Sequence, residues 1–184
     1  MEIITFKDER YPKHLKQIYD YPKVLFVEGN TEILKEEGFA IIGCRNSSKY
    51  GEKTAMKLAY DLSLNNKIII SGLARGIDTA AHIGCLQARG KTIAVLGSGL
   101  DNIYPKENTR LAGKILENGG AIISEYKMGT KPIPTNFPAR NRIISGLAKG
   151  VIVVEAKQRS GSLITVDFAL EQGKDVYAVP RKYR

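Results

Sequence analysis

Seven basic side chains sit in segments that follow short apolar runs and also hold glycine or serine: Arg45, Arg75, Lys106, Lys131, Arg140, Arg142 and Lys157. Such segments suit phosphate binding. Backbone N–H groups at a helix start point at an anion, and a cation beside them neutralises it. The small residues placed to supply those N–H groups are Ser71 and Gly72 in "SGLARG" and Ser160, Gly161 and Ser162 in "RSGSLIT". Asn141 lies between the two arginines of "FPARNR" and adds an amide. Phe137 opens that segment and offers a flat ring on which a nucleobase can stack. The alternative for Phe137 is a hydrophobic staple. For Ser162 the alternative is plain helix capping.

Bond-making chemistry has fewer candidates. His82 lies in "IDTAAHIG" and reads as packed on its helix, and Asp78 reads as orienting the preceding turn. Glu125 and Glu155 end apolar runs, where two carboxylates suit acid/base work or ion pairing to the arginines. "GSGLDN" has Asn102 where a dinucleotide fingerprint needs its third glycine, and the chain has no G-x-x-x-x-G-K-[ST]. It also lacks a G-x-S-x-G elbow and a cluster with metal-ligand spacing. The reading is a binding protein, not an enzyme, with no metal and no cofactor.

The elements that must position these residues are legible as well. "FAIIGC" (39–44), "KIIISG" (67–72), "TIAVLG" (92–97), "AIISE" (121–125), "VIVVEA" (151–156) and "DVYAVP" (175–180) are apolar throughout, without alternation. That pattern suits parallel strands buried on both faces. Helical patterns occupy 49–65, 77–89, 106–118, 138–148 and 163–172 between them. Strand–helix alternation predicts an α/β, doubly wound, mostly parallel sheet with helices on both faces. Residues 1–35 read as an extension packed on this core, with "VLFVEG" as an extra edge strand, and 36–184 as the core itself. Pro138 suits the first helical turn, which puts Arg140 and Arg142 in that turn as well. Cations are disfavoured there by the helix dipole, so their placement fits contact with phosphates.

The hexamer "SGLARG" (71–76) returns as "SGLAKG" (145–150). The first copy follows a strand and leads into a helix, at the carboxyl edge where open α/β sheets bind ligands. The second closes a helix before a strand, with Gly150 as its stop, on the opposite edge. The letters match and the geometry does not.

Lysine and arginine total 28 against 19 aspartate and glutamate, a net of +9. Residues 131–184 hold ten of the basic residues and four of the acidic ones. That bias favours partners bearing phosphate, with solubility as the plain alternative. No apolar run approaches a membrane span, and "MEIITFKDERYPK" lacks a secretory h-region. Cys44 and Cys85 have no redox or metal spacing and read as reduced thiols of a cytoplasmic protein.

Four motifs together resemble the DprA/Smf family of DNA-processing proteins: "SGLARGIDTAAH", "GSGLDNIYPKEN", "FPARNRIISGL" and "RSGSLITVDFALEQGKDVYAVP". The likeness runs from about residue 10 to 180. It implies an extended Rossmann-like fold that binds single-stranded DNA, protects incoming strands and loads the recombinase RecA onto them in natural transformation. It also implies a homodimer. The family's pocket cations carry over onto Arg45, Lys106 and Lys131. The chain stops at "VPRKYR", where the family continues with glycine and a further helix, so the core reads as shortened there. The competing reading is a nucleotide-binding or nucleotide-hydrolysing protein akin to the lysine-decarboxylase-like phosphoribohydrolases. Against it, "RSGSLITVDF" lacks the Gly-Gly pair and the glutamate that those enzymes use.

Overall fold

The computed structural model of the chain describes residues 1–157 and 160–180. Eight strands form one sheet: β1 (Glu2–Thr5), β2 (Val24–Gly29), β3 (Gly38–Gly43), β4 (Ile68–Ser71), β5 (Thr92–Val95), β6 (Ala121–Ser124), β7 (Gly150–Glu155) and β8 (Asp175–Ala178). Five helices connect them: α1 (Lys49–Leu64), α2 (Ile77–Gln87), α3 (Thr109–Glu117), α4 (Asn136–Leu147) and α5 (Gly161–Glu171). The strand order is β1-β2-β6-β5-β4-β3-β7-β8. From β6 to β8 every pairing is parallel, while β1 and β2 join antiparallel. The fold is thus the α/β, doubly wound sheet that the apolar runs predict.

Strand side chains alternate between two cores. Ile41, Ile69 and Val154 face α1 and α2, with Ala55, Ala59, Ala80 and Ala81 letting those helices lie close. Ala94, Leu96 and Ile122 face α3. On the other side Ile42, Ile70, Val95 and Val153 pack against Ile143, Ile144 and Leu147 of α4 and against Leu15 and Ile18 of the N-terminal stretch. Burying each such side chain stabilises by about 1.5–3 kcal/mol. Both faces are therefore covered, which explains why the strands read as solid apolar runs.

Three sequence expectations shift. "VLFVEG" is a strand, but β1 takes the edge beyond it. The "EIIT" of β1 buries only Ile4 and gives almost no pattern to read. The helix carrying "FPARNR" starts at Asn136, two residues before Pro138, so Arg140 and Arg142 fall in its second turn. The second hexamer does end a helix, but the stop is Ala148 in an extended conformation; Gly150 is already in β7.

The order reverses at β3, because the chain moves outward through β4, β5 and β6 and then returns along α4 to β7 on the other side of β3. The carboxyl ends of β3 and β7 thus diverge into loops that leave for opposite faces. That is where an open α/β sheet leaves a crevice.

Candidate nucleic-acid interface

A cleft of about 580 Å³ occupies this crevice. All five strand-to-helix loops reach it: Cys44 and Arg45 after β3, Ala74 and Asp78 after β4, Tyr104 after β5, Pro132, Pro134 and Phe137 after β6, and Ser160, Gly161 and Ser162 after β7. Arg140, Asn141 and Thr165 complete its wall. A smaller hollow adjoins it, lined by Gly72, Arg75, Tyr104, Phe137 and Arg140.

The ring of Phe137 organises the mouth. It rests on Gly97, where a Cβ would approach to 3.0 Å, and so it stands over the end of β5. The Tyr104 ring is tilted against it at 5.5 Å, and the Arg45 guanidinium lies over it at 5.4 Å. Phe137 is half-buried, while Tyr104 and Arg45 are exposed. An aromatic face beside an exposed guanidinium suits a base next to its phosphate. Tyr104 was missed in the sequence because its segment, "NIYPKEN", drew attention only to Lys106.

The loop N–H groups are less free than the sequence suggests. Those of Gly72 and Ala74 donate to Asp78 Oδ2 at 3.0 and 3.4 Å. The Glu155 carboxylate accepts from the N–H and hydroxyl of Ser48, ahead of α1, both at 3.0 Å. Asp101 takes the Gly129 N–H at 2.9 Å. These nests already hold the protein's own carboxylates. Ser71 is also occupied, its hydroxyl donating to Ile41 O at 2.7 Å across the sheet. The start of α5 differs. Ser160 rather than Ser162 is its N-cap residue, and the two hydroxyls bond each other at 2.7 Å. The backbone N–H groups of Gly161 and Ser162 donate to no acceptor among the described residues.

Arg140 and Arg142 part company. A helix turns about 100° per residue, so positions two apart point about 200° apart. Arg140 lies buried under the cleft, with Nη1 donating to Gly72 O at 2.8 Å and to Val95 O. Burial lowers its guanidinium to about 10, with Asp78 pulling the other way. Burial likewise raises the Asp78 carboxyl, against the pull of Arg140 and the two N–H donors. Arg142 faces away from the cleft. Its fork grips Glu125 with two 2.7 Å bonds, and its Nε donates to Asp20 O at 2.7 Å. It ties α4 to the N-terminal extension.

The remaining cations ring the cleft without lining it. Lys106, Lys131 and Lys157 are exposed on the loops after β5, β6 and β7. Arg75 is exposed but held by Glu107, with two bonds of 2.8 Å. Arg159, in the same segment as Lys157, lies outside the described residues. His82 is buried, and its Nδ1 meets Thr92 Oγ1 at 2.8 Å. The Thr92 hydroxyl donates to Ile69 O at 2.6 Å, so Nδ1 carries the imidazole proton. Burial, aided by Arg140, lowers His82 to about 3. It is neutral and structural, as its helical pattern implies.

Comparison with known proteins decides the family. The model of DNA recombination-mediator protein A matches residues 2–184. This chain belongs to that family. DNA processing protein DprA from Streptococcus pneumoniae is 53% identical over 173 residues, 94% of this chain and 61% of the relative. Protein Smf from Escherichia coli is 49% identical over 178 residues, 97% of this chain and 48% of the relative. The chain thus spans about half to three fifths of the length of these family members. The X-ray structure of the S. pneumoniae protein superposes with a TM-score of 0.92 at 50% identity, covering 98% of this chain and 63% of that one. A structure of DNA processing protein A from Helicobacter pylori, studied for its single-stranded DNA binding mode, gives 0.89 at 33% identity, covering 99% and 82%. A molybdenum cofactor binding protein from Rippkaea orientalis, with TM-score 0.58 and 20% identity, shares the fold alone; it covers 78% and 76%. No helix among the described residues is long and apolar enough to cross a membrane.

Proposed function

We propose that this chain binds single-stranded DNA along the carboxyl edge of its sheet and acts as a recombination mediator. On this reading it protects incoming strands and loads RecA onto them during natural transformation, as a homodimer in the cytoplasm. The observation that carries the reading is the mouth of the cleft, with Arg45 over the accessible ring of Phe137 at 5.4 Å. A base stacks on Phe137, its phosphate meets Arg45, and neighbouring phosphates meet Lys131, Lys157 and the backbone N–H groups of Gly161 and Ser162. Arg140 and Asn141 shape the floor, with Ser71 and Gly72 behind them. Lys106 and Arg75 flank the path. None of these groups reads base edges, so binding depends little on sequence. Membership of the family and the H. pylori relative's single-stranded DNA binding support this assignment. The reading needs no catalytic group: Glu125 and Glu155 are held by Arg142 and Ser48, outside the cleft lining.

The test is fluorescence anisotropy with labelled oligo-dT and matched duplex across a salt series. The single strand binds more tightly, and its affinity falls with salt by about 0.7 in log–log slope per phosphate contact. Phe137→Ala loses roughly 1–3 kcal/mol, about five- to 150-fold. Unchanged binding by Phe137→Ala removes the ring from the site. Acceleration of RecA filament nucleation on the bound strand then tests the loading role, and size measurement in solution tests the dimer.

A further inference from the structure

The cations that line the cleft all come from the core, and none comes from the N-terminal extension. The sheet register brings the extension's cations to the same edge. Thr5 pairs with Val24, and Phe26 pairs with Ser124. The residues just after β1 and just before β2 therefore lie beyond the carboxyl end of β6, on the edge that carries the cleft. Phe6 N–H donates to Lys23 O at 3.0 Å and holds the two segments together. Two ammonium groups gather there, with Lys7 Nζ 5.9 Å and Lys23 Nζ 5.3 Å from the centre of the Phe6 ring. Lys23 Nζ also sits 3.6 Å above the Tyr21 ring.

Like charges so placed call for an anion, and the nearby carboxylates are engaged. Asp8 and Glu2 take Arg10, while Asp20 and Glu125 take Arg142. Among the described residues no carboxylate lies within ion-pair distance of Lys7 or Lys23. Tyr19, four residues ahead of Lys23 in the chain, is fully exposed in the segment that Arg142 anchors at Asp20. The exposed Lys127 is on the loop after β6, the strand that separates β2 from β5 in the sheet. Phe137 stands over β5, two strand spacings from β2, which is about 10 Å. At a stacked rise of about 3.4 Å that gap spans about three nucleotides.

We propose that Lys7, Lys23 and the ring of Tyr19 form a second set of nucleic-acid contacts, which continues the path of the single strand from Phe137 past Lys127 onto the N-terminal extension. The inference rests on the proposed binding function. It assigns the extension a direct part in binding and gives Arg142 the task of mounting that part.

The experiment compares Lys7→Gln/Lys23→Gln with Lys67→Gln/Lys91→Gln in oligo-dT titrations of about 20 nucleotides across a salt series, a length within the range of single-strand sites. The second pair precedes β4 and β5 at the amino edge, so it removes the same charge far from the path. Two lost phosphate contacts make the salt slope of the first variant shallower than the control's by about 1.4, and its affinity about 25-fold weaker at 0.1 M salt. Adding Tyr19→Ala weakens binding by about fivefold or more again. A first variant that tracks the control in slope and affinity overturns the inference. Phe137→Ala separates the two failures: if it weakens binding while the lysine pair behaves as the control, only the second contact set falls. If the unaltered chain does not bind oligo-dT, the functional reading and this inference fall together.

Discussion

Replacing Arg142 with alanine strips the Glu125 carboxylate of both its fork bonds and leaves Asp20 O without its donor. The arginine side chain is 10% exposed and the glutamate 18%, so little water reaches the gap. Removing one partner of a buried ion pair costs about 3–5 kcal/mol, a large part of the roughly 5–15 kcal/mol that holds a domain folded. For a chain of this size each kcal/mol moves Tm by about 2–4 °C, so the melt of Arg142→Ala falls by about 6–20 °C. Urea titration at fixed pH gives the free energy directly. The double variant Arg142→Met/Glu125→Leu separates the pair's net worth from the cost of an orphaned charge, and it recovers most of the loss because both polar partners are gone. The reasoning fails if Arg142→Ala melts within about 2 °C of the unaltered chain, or if the double variant is no better than the single.

Acid exposes a second dependence. His82 titrates near 3 when folded and near 6.5 when unfolded, so between those values the unfolded chain holds the extra proton and stability is lost as pH falls. From pH 6.5 to 4.5 this one group costs about 2 kcal/mol, which a His82→Leu variant does not show in paired urea titrations. Gly72→Ala places a methyl 2.8 Å from the Arg140 guanidinium, which is held by Gly72 O and Val95 O. It destabilises by about 1–3 kcal/mol in the same titration, whereas Gly113→Ala, which meets nothing within 4 Å, does not.

The parallel core was legible because strands buried on both faces must be apolar at every position, and "KIIISG" and "VIVVEA" could be little else. Strand β1 was not, since a four-residue edge strand with one buried side chain carries no period. The loops of the cleft were legible from their place after each strand. What the loops face was not. Charge counts treat Arg140 and Arg142 alike, and only the helical turn between them sends one beneath the cleft and the other to Glu125. Glycine-rich turns promised open donors at Gly72, and only the folded chain brings the Asp78 carboxylate onto them.

The carboxylates of Asp78, Glu155 and Asp101 plug the donor-lined wells at the ends of β4, β3 and β6. A mononucleotide is gripped mainly by its doubly charged terminal phosphate, which needs such a well; at these three it meets a fixed negative charge, and the start of α5 is left to offer it open donors. A polymer's bridging diesters carry one charge each and can stay at the rim, where Arg45, Lys131 and Lys157 stand in solvent. On the proposed reading, the protein's internal anions thus favour a long ligand over a short one. Each rim contact is weak alone, and only a ligand that repeats its phosphates can collect several at once.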